Sequence, residues 1–115
     1  MAMGQPILLL STRGANSGQL RTTPLLYTPY GEDFIVVASK AGSAHNPAWY
    51  HNLRAHPEAV SIEIGGDRVA VRPRVVEEPE RNKLWQRVND NYNGYEKYAQ
   101  RAGGRTIPLV VLEPI

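Results

Sequence analysis

The chain has 115 residues and a mass of 12.8 kDa, which suits one compact domain covering residues 1–115. Thirteen Lys and Arg residues against eleven Asp and Glu residues give a net charge of +2, and no basic run exceeds two residues, which argues against a nucleic-acid-binding surface. The absence of cysteine excludes disulfide bonds, thiolate catalysis and cysteine-ligated metal sites.

The apolar and alternating segments predict six short strands, separated by turns rich in Gly, Pro and Asn. The first segment is uniformly apolar, which is typical of a strand buried on both faces. Runs 21–27 and 34–38 flank a turn and are expected to form a β-hairpin. Pro108 interrupts the last run, which favours a position near a sheet edge. The predicted strands are 6–10, 21–27, 34–38, 60–64, 68–76 and 107–112.

Three helices are predicted between the strands. Asn46 suits the N-cap and Pro47 the first helical position of a helix that runs to Ala55. Apolar spacing predicts a second helix over 77–91, and a third over 95–102 ends at two glycines. Antiparallel strands joined mainly by hairpins predict an α+β fold, mainly β, in which a few helices pack outside a small antiparallel barrel.

Neither a membrane span nor a secretion signal is indicated. The longest apolar run has the length of a strand and falls far short of the roughly 18 residues that a membrane span needs. The first residues have neither a basic segment nor an apolar stretch of signal-peptide length. We therefore expect a cytoplasmic protein.

The predicted hairpin brings basic and small polar residues to one end of the barrel. Because its strands are antiparallel, Arg21 at the start of the first lies beside Ser39 and Lys40 at the end of the second. The glycine-rich loop 13–19 and the N-terminus of the first helix lie at the same end. Backbone N–H groups, a helix dipole and fixed cations are together typical of a phosphate or carboxylate site. An ordinary solvated turn explains the same residues, so both interpretations stay open at this point.

Three tyrosines recur at every third position, Tyr92, Tyr95 and Tyr98, and fall near one face. They can wall a cavity for a flat ligand or pack in the core, and the pattern does not separate these two roles. The three histidines, including His51, match no metal-binding spacing and are interpreted as solvated or hydrogen-bonded residues, so no metal site is predicted.

Three segments resemble the deazaflavin-dependent nitroreductase family: LLLSTRGANSGQLRTTPL at 8–25, VVASKAGSAHNPAWYHNL at 36–53 and RTIPLVVLEP at 105–114. The spacing of the three tyrosines matches this family as well. The resemblance implies a split β-barrel related to the FMN-binding oxidases. It also implies use of the reduced deazaflavin, coenzyme F420, to reduce quinones and, in some members, nitroaromatic compounds.

The resemblance also implies roles for individual residues. Tyr92, Tyr95 and Tyr98 match aromatic residues that frame the electron acceptor, where a Tyr hydroxyl or solvent supplies a proton. The matching coenzyme-binding residues hold the phosphate and the deazaflavin ring. They are Ser17, Gly18, Gln19, Arg21, Pro24, Ala38, Ser39, Lys40, Ala41, Gly42, Trp49 and Tyr50. On this basis, Lys40→Ala and Arg21→Ala are each expected to weaken coenzyme binding about tenfold or more.

The sequence departs from the family pattern in the glycine-rich loop. Where the family usually has Gly-Arg-Lys-Ser/Thr-Gly-Gln-Pro-Arg, the chain has Ala15 and Asn16 in place of the two basic residues and Leu20 in place of Pro. Loss of two phosphate-facing charges is expected to weaken coenzyme binding unless Arg13 compensates from a shifted position. Leu26 also replaces a common tyrosine, which bears on nitroreduction.

The sequence therefore predicts an oxidoreductase that transfers a hydride from reduced coenzyme F420 to a quinone-like or nitroaromatic acceptor. An FMN-dependent split-barrel oxidoreductase and a non-catalytic deazaflavin-binding protein are the alternatives. The predicted partner is the small-molecule acceptor, without nucleic acid. A monomer and a homodimer both stay open, as does peripheral contact with the inner face of a membrane to reach a lipid quinone.

Overall fold

Seven antiparallel strands form one curled sheet in the computed structural model, which describes residues 6–39, 46–91 and 106–115. Two helices, α1 (Ala48–Ala55) and α2 (Glu80–Asn91), and a 3-10 turn (Pro57–Ala59) accompany the sheet. The strands are β1 (Ile7–Arg13), β2 (Leu20–Leu26), β3 (Thr28–Tyr30), β4 (Asp33–Val37), β5 (Ser61–Ile64), β6 (Asp67–Val75) and β7 (Leu109–Pro114).

The two ends of the sheet are consecutive in the chain. The strand order is β2-β1-β5-β6-β7-β4-β3, and only Tyr27 separates β2 from β3. The Tyr27 N–H donates to the carbonyl of Pro6, 3.0 Å away, which anchors the bend between the two strands. A single bent run of chain therefore contributes to both ends of the sheet. This curled α+β architecture is the split barrel that the sequence predicts, with seven strands instead of about six.

The expected hairpin between 21–27 and 34–38 is wrong. β2 pairs instead with β1, from Ile7 opposite Leu26 to Arg13 opposite Leu20, and the glycine-rich loop 14–19 is the connection of this hairpin. Within residues 20–30, only the three residues of β3 pair with β4. The strand-forming composition of 21–27 is correctly recognised, but the choice of its partner depends on packing between distant segments.

The last strand lies in the interior of the sheet, which contradicts the position near an edge that Pro108 suggested. β7 pairs with β6 on one side and with β4 on the other. Pro108 precedes the strand, so its missing N–H costs no ladder hydrogen bond, and its carbonyl accepts from the Ala38 N–H at 2.9 Å. Four successive residues of β7, Leu109–Leu112, are buried because both faces of the strand are covered.

Two hydrophobic cores lie on opposite faces of β4 and β7. The first fills the barrel and takes Trp49, Tyr50 and Leu53 from α1. The second lies between the outer face of the sheet and α2, which contributes Leu84 and Val88. The outer face of β1 has no such cover within the described residues. The side chains of residues 7–10 therefore alternate between exposed and buried, and 6–10 is not the fully buried strand that the sequence suggests.

Both described helices begin later than the sequence predicts. Pro47 is the N-cap of α1, with extended backbone angles, so Asn46 lies one position outside the cap. α2 begins at Glu80, after a cis peptide bond between Glu78 and Pro79. The third predicted helix, 95–102, lies outside the described residues. No helix within the described part of the chain is long and apolar enough to cross a membrane.

Candidate functional site

An open cavity of about 900 Å³ lies among the β1–β2 loop, the first half of β2 and helix α1. Its volume is in the range of sites that hold cofactors and other small molecules. The lining residues are 14–17 from the loop, 20–23 from β2, and Ala48, Trp49, His51 and Asn52 from α1.

The loop that lines this cavity is closed by its own hydrogen bonds. The Gly14 N–H donates to the Gln19 carbonyl at 2.7 Å, and the Gly18 N–H donates to the Gly14 carbonyl at 2.9 Å. The Gln19 N–H donates to Ser17 Oγ at 3.2 Å. A Cβ at Gly14 would lie 2.5 Å from Ser17 Oγ, so glycine allows this tight closure. The N–H groups of Asn16 and Ser17 have no acceptor within the described residues.

Asn52 connects helix α1 to the β1–β2 hairpin. Its Oδ1 accepts from the Ala15 N–H at 2.9 Å, and its Nδ2 donates to Thr12 Oγ1 at 3.3 Å. The side chain of Asn52 is 8% exposed. Burial makes these bonds consequential, because an amide group left without partners would lose its hydration without compensation.

Positive electrostatic potential at the cavity comes from Arg21 and from the start of α1. Arg21 lines the cavity and belongs to none of the ion pairs found among the described residues. The first turn of α1 lines it through Ala48 and Trp49, and no side chain of the described part of the chain caps this end of the helix. A guanidinium, uncapped helix N–H groups and free loop amides together favour an anionic group.

The two aromatic residues at the start of α1 take different positions. Trp49 lines the cavity while its side chain also packs in the barrel core. Tyr50 is buried in the same core and is not among the lining residues; the Arg54 guanidinium lies 5.5 Å from the centre of its ring. Of these two residues, Trp49 is therefore the one that reaches the cavity, with 6% of its surface exposed.

The structure brings some of the sequence-predicted site residues together and places others elsewhere. Ser17, Arg21 and Trp49 line the cavity, and Gly18 and Gln19 complete its loop. The remaining described residues, Pro24, Ala38, Ser39 and Tyr50, are not among the lining residues, and Ala38 is fully buried in the barrel core. Lys40, Ala41, Gly42, Tyr92, Tyr95 and Tyr98 lie outside the described residues.

Sequence reasoning missed Asn52 and the placement of His51. His51 lines the cavity, although its spacing from the other histidines indicated nothing. Asn52 is a polar residue among the buried residues of a short helix, and this local pattern can indicate a buried, hydrogen-bonded side chain. Its partners Thr12 and Ala15 are about 40 residues away in sequence, so no local pattern could identify them. Arg13, expected to compensate for the two missing basic residues, is not among the lining residues.

Comparison with known proteins gives consistent matches over nearly the whole chain. The family described as F420H(2)-dependent quinone reductase matches residues 1–114. An F420H(2)-dependent quinone reductase of Mycobacterium tuberculosis is 46% identical over 110 residues, which cover 93% of this chain and 72% of that protein. A solved structure of an F420-H2 dependent reductase superposes with a TM-score of 0.83 at 34% identity, covering 94% of both chains.

A more distant likeness concerns the fold alone. The structure of a heme binding protein from Mycobacterium smegmatis has a TM-score of 0.72 at 16% identity, covering 96% of this chain and 47% of that chain.

Proposed function

Because the chain belongs to the F420H(2)-dependent quinone reductase family, we propose that it binds reduced coenzyme F420 in the cavity beside α1 and reduces a quinone there. Membership confirms the sequence-based prediction of an oxidoreductase dependent on this coenzyme. The observation that carries the placement is the lining of the cavity. It combines an aromatic side chain with a cation and backbone N–H groups that have no partner within the described residues.

The cavity residues fit an anionic, aromatic coenzyme. Hydrogen-bond donors and positive charge are provided at one cavity by Arg21, by the loop amides of Asn16 and Ser17, and by the start of α1, which no described side chain caps. Trp49 provides an aromatic surface there. Among the described residues, no acidic side chain lines the cavity, so an anionic ligand would meet no like charge from them.

The loop can bind a phosphate through its backbone although two basic side chains of the family pattern are replaced. Ala15 and Asn16 stand where those side chains would be. The N–H of Ala15 is used by Asn52, whereas those of Asn16 and Ser17 have no acceptor within the described residues. We propose that these two amides and Arg21 hold the coenzyme phosphate, with fewer fixed charges than the family pattern provides.

The chain's part in the reaction is binding, orientation and exclusion of water. When bound, the reduced deazaflavin supplies the hydride. Trp49 is proposed to hold the flat ring and acceptor against one wall, because its buried position leaves its side chain little freedom to move. The roles of Lys40, Ala41 and Gly42 in coenzyme binding, and of Tyr92, Tyr95 and Tyr98 at the acceptor, stay predictions.

A fluorescence titration of the purified protein with coenzyme F420, beside an identical titration with FMN, tests this proposal. Saturable binding of the deazaflavin at micromolar concentration and no binding of FMN is the expected result. Binding of FMN alone would favour the flavin-dependent alternative. If neither binds, the proposed function is wrong.

The acceptor is tested by turnover with reduced coenzyme F420 and a soluble quinone, followed as reappearance of the oxidised coenzyme. We expect oxidation that depends on both protein and quinone. A nitroaromatic acceptor in the same assay measures how far the site accepts the second predicted class. Coenzyme binding without turnover on either acceptor would favour the non-catalytic binding protein.

A further inference from the structure

Asn52 is a buried polar side chain that connects two of the three segments lining the cavity. It lies on α1, and both ends of its amide contact the β1–β2 hairpin: Oδ1 at the Ala15 N–H and Nδ2 at Thr12 Oγ1. A backbone N–H can only donate, so the contact with Ala15 identifies the amide oxygen. The orientation of the side chain is thus determined by the chemistry of its partners.

Among the hydrogen bonds of the described residues, the bond to Ala15 is the one that joins the loop to α1. Within the described residues, the other hydrogen bonds of residues 14–19 join Gly14 to Gln19, Gly18 to Gly14 and Gln19 to Ser17, so they stay inside the loop. These internal bonds maintain the shape of the loop but do not fix its distance from α1. The 2.9 Å contact between Ala15 N and Asn52 Oδ1 joins the two across 37 residues of sequence.

We infer that Asn52 is a positioning residue for the coenzyme, an inference that rests on the proposed function. By holding Ala15, it keeps the free amides of Asn16 and Ser17 at a fixed distance from the first turn of α1. A phosphate held by donors from both segments needs that distance to be constant, because hydrogen bonds weaken steeply as their geometry departs from the optimum. Thr12 in turn restrains the amide of Asn52 through Nδ2.

The first measurement uses the coenzyme-free protein. Asn52→Leu has a similar size and removes both hydrogen bonds. We expect amide hydrogen exchange at Ala15 to become about tenfold faster or more, while exchange in β5 and β6 stays as in the wild type. Unchanged exchange at Ala15 would overturn the inference.

The second measurement separates positioning from a merely structural role. For Asn52→Leu we expect the Kd and the KM for the coenzyme to rise about tenfold, with kcat at saturating coenzyme within about twofold of the wild type. A merely structural role would lower Tm and the fraction of active molecules, so kcat would fall while KM stayed constant. Arg74→Met, which removes polar contacts away from the cavity, is the matched control and should lower Tm without changing the coenzyme Kd.

Variants of Thr12 decide the question if Asn52→Leu does not fold. Thr12→Val removes the acceptor of Nδ2 with little change in shape, and we expect the coenzyme KM to rise about threefold. Thr12→Ser keeps the hydroxyl and should restore the wild-type KM. The inference is overturned if the coenzyme KM is unchanged in both Asn52→Leu and Thr12→Val. If Asn52→Leu does not fold, an unchanged KM in Thr12→Val overturns it alone. The proposed function stands in either case. Failure of the wild-type protein to bind coenzyme is the separate result that overturns the proposed function.

Discussion

Two arginines near the β1–β2 loop differ in their access to the cavity. Arg21 lines it, whereas Arg13, on the neighbouring strand, does not. We therefore expect Arg21→Ala to raise the coenzyme Kd about tenfold or more, because a charge-assisted contact with the phosphate is lost. Arg13→Ala carries the same change of net charge and should alter the Kd less than about twofold. Fluorescence titration at constant salt measures both, and equal effects would mean that general electrostatics and not a contact at Arg21 attracts the coenzyme.

Gly14 shows how one missing side chain allows the loop to close. A Cβ there would lie 2.5 Å from Ser17 Oγ and 3.3 Å from the Gln19 carbonyl. We expect Gly14→Ala to lower the free energy of unfolding by about 1 kcal/mol, because Ser17 must rotate and give up its hydrogen bond with the Gln19 N–H.

The partner variant Ser17→Ala makes this prediction specific. In the Ser17→Ala background, the close contact with Oγ no longer exists, so Gly14→Ala should cost clearly less than in the wild type. Urea denaturation of the four proteins measures the coupling between the two positions. Equal costs in both backgrounds would show that the close approach to Ser17 is not what requires glycine.

At the scale of single residues, the sequence predicts cavity-lining residues where they belong to a contiguous motif. Ser17, Arg21 and Trp49 follow from short matching segments, and all three line the cavity. Asn52 lies in a matching segment as well, but nothing in that segment indicates its contact with Ala15, which only the tertiary fold brings to α1. Local patterns therefore identify residues that line the cavity more easily than they identify contacts between distant segments.

At the scale of elements, the sequence predicts where strands occur better than how they pair. The alternating segments at 60–64 and 68–76 are observed as β5 and β6, joined by the expected turn. The predicted pairing of 21–27 with 34–38 is wrong, because the chain bends at Tyr27 and β2 pairs with β1. The edge position predicted from Pro108 is also wrong, because Pro108 lies outside the strand, which begins at Leu109. Pairing depends on contacts between distant segments, which composition does not encode locally.

The start of α2 is connected to the sheet by a group of three charged residues. Arg74 of β6 donates to Glu80 Oε1 at 2.8 Å and Oε2 at 3.3 Å, and to Glu113 of β7 at 3.4 Å. The hydrogen bond from the Arg74 guanidinium holds the pKa of the Glu80 carboxyl below its ordinary value of 4.5. The ionised form is thus favoured by the folded state.

This arrangement predicts a pH dependence of stability in the acid range. Because the pKa of Glu80 is lowered on folding, its contribution is fully present above 4.5, its ordinary value, and is lost as the pH falls through the lower folded-state value. We expect wild-type Tm to exceed that of Glu80→Gln near neutral pH, with a modest difference because both side chains are partly exposed. Thermal denaturation across the acid range measures the difference, which should shrink as the pH falls. A difference independent of pH would exclude the ionised carboxylate as its source.

At the scale of the whole molecule, two hydrophobic cores share strands β4 and β7. Val110 and Leu112 face the barrel core, and Leu109 and Val111 face the core under α2. Because β7 packs in both cores, a displacement of β7 would disrupt both of them. We therefore expect the described parts of the fold to unfold as one cooperative unit.

The chain's two tryptophans allow this cooperativity to be measured. Trp49 packs in the barrel core, and Trp85 packs against the core under α2. In the single-tryptophan variants Trp49→Phe and Trp85→Phe, the remaining tryptophan reports on one core, and far-UV circular dichroism reports on the whole. Within each variant, we expect the fluorescence and circular dichroism midpoints in urea to coincide. Midpoints that differ would indicate that the two cores unfold separately.

The interior position of β7 also bears on how the sheet can form while the protein is being synthesised. β7 follows every other described strand in the chain, yet β4 and β6 each pair with it. While the ribosome is still translating residues 109–114, β4 and β6 each have one unpaired edge, and Ile35, Val36 and Val37 lack their neighbours across the sheet. We therefore expect the nascent chain to expose an apolar strand, and to be prone to aggregation, until residues 109–114 are available to pair.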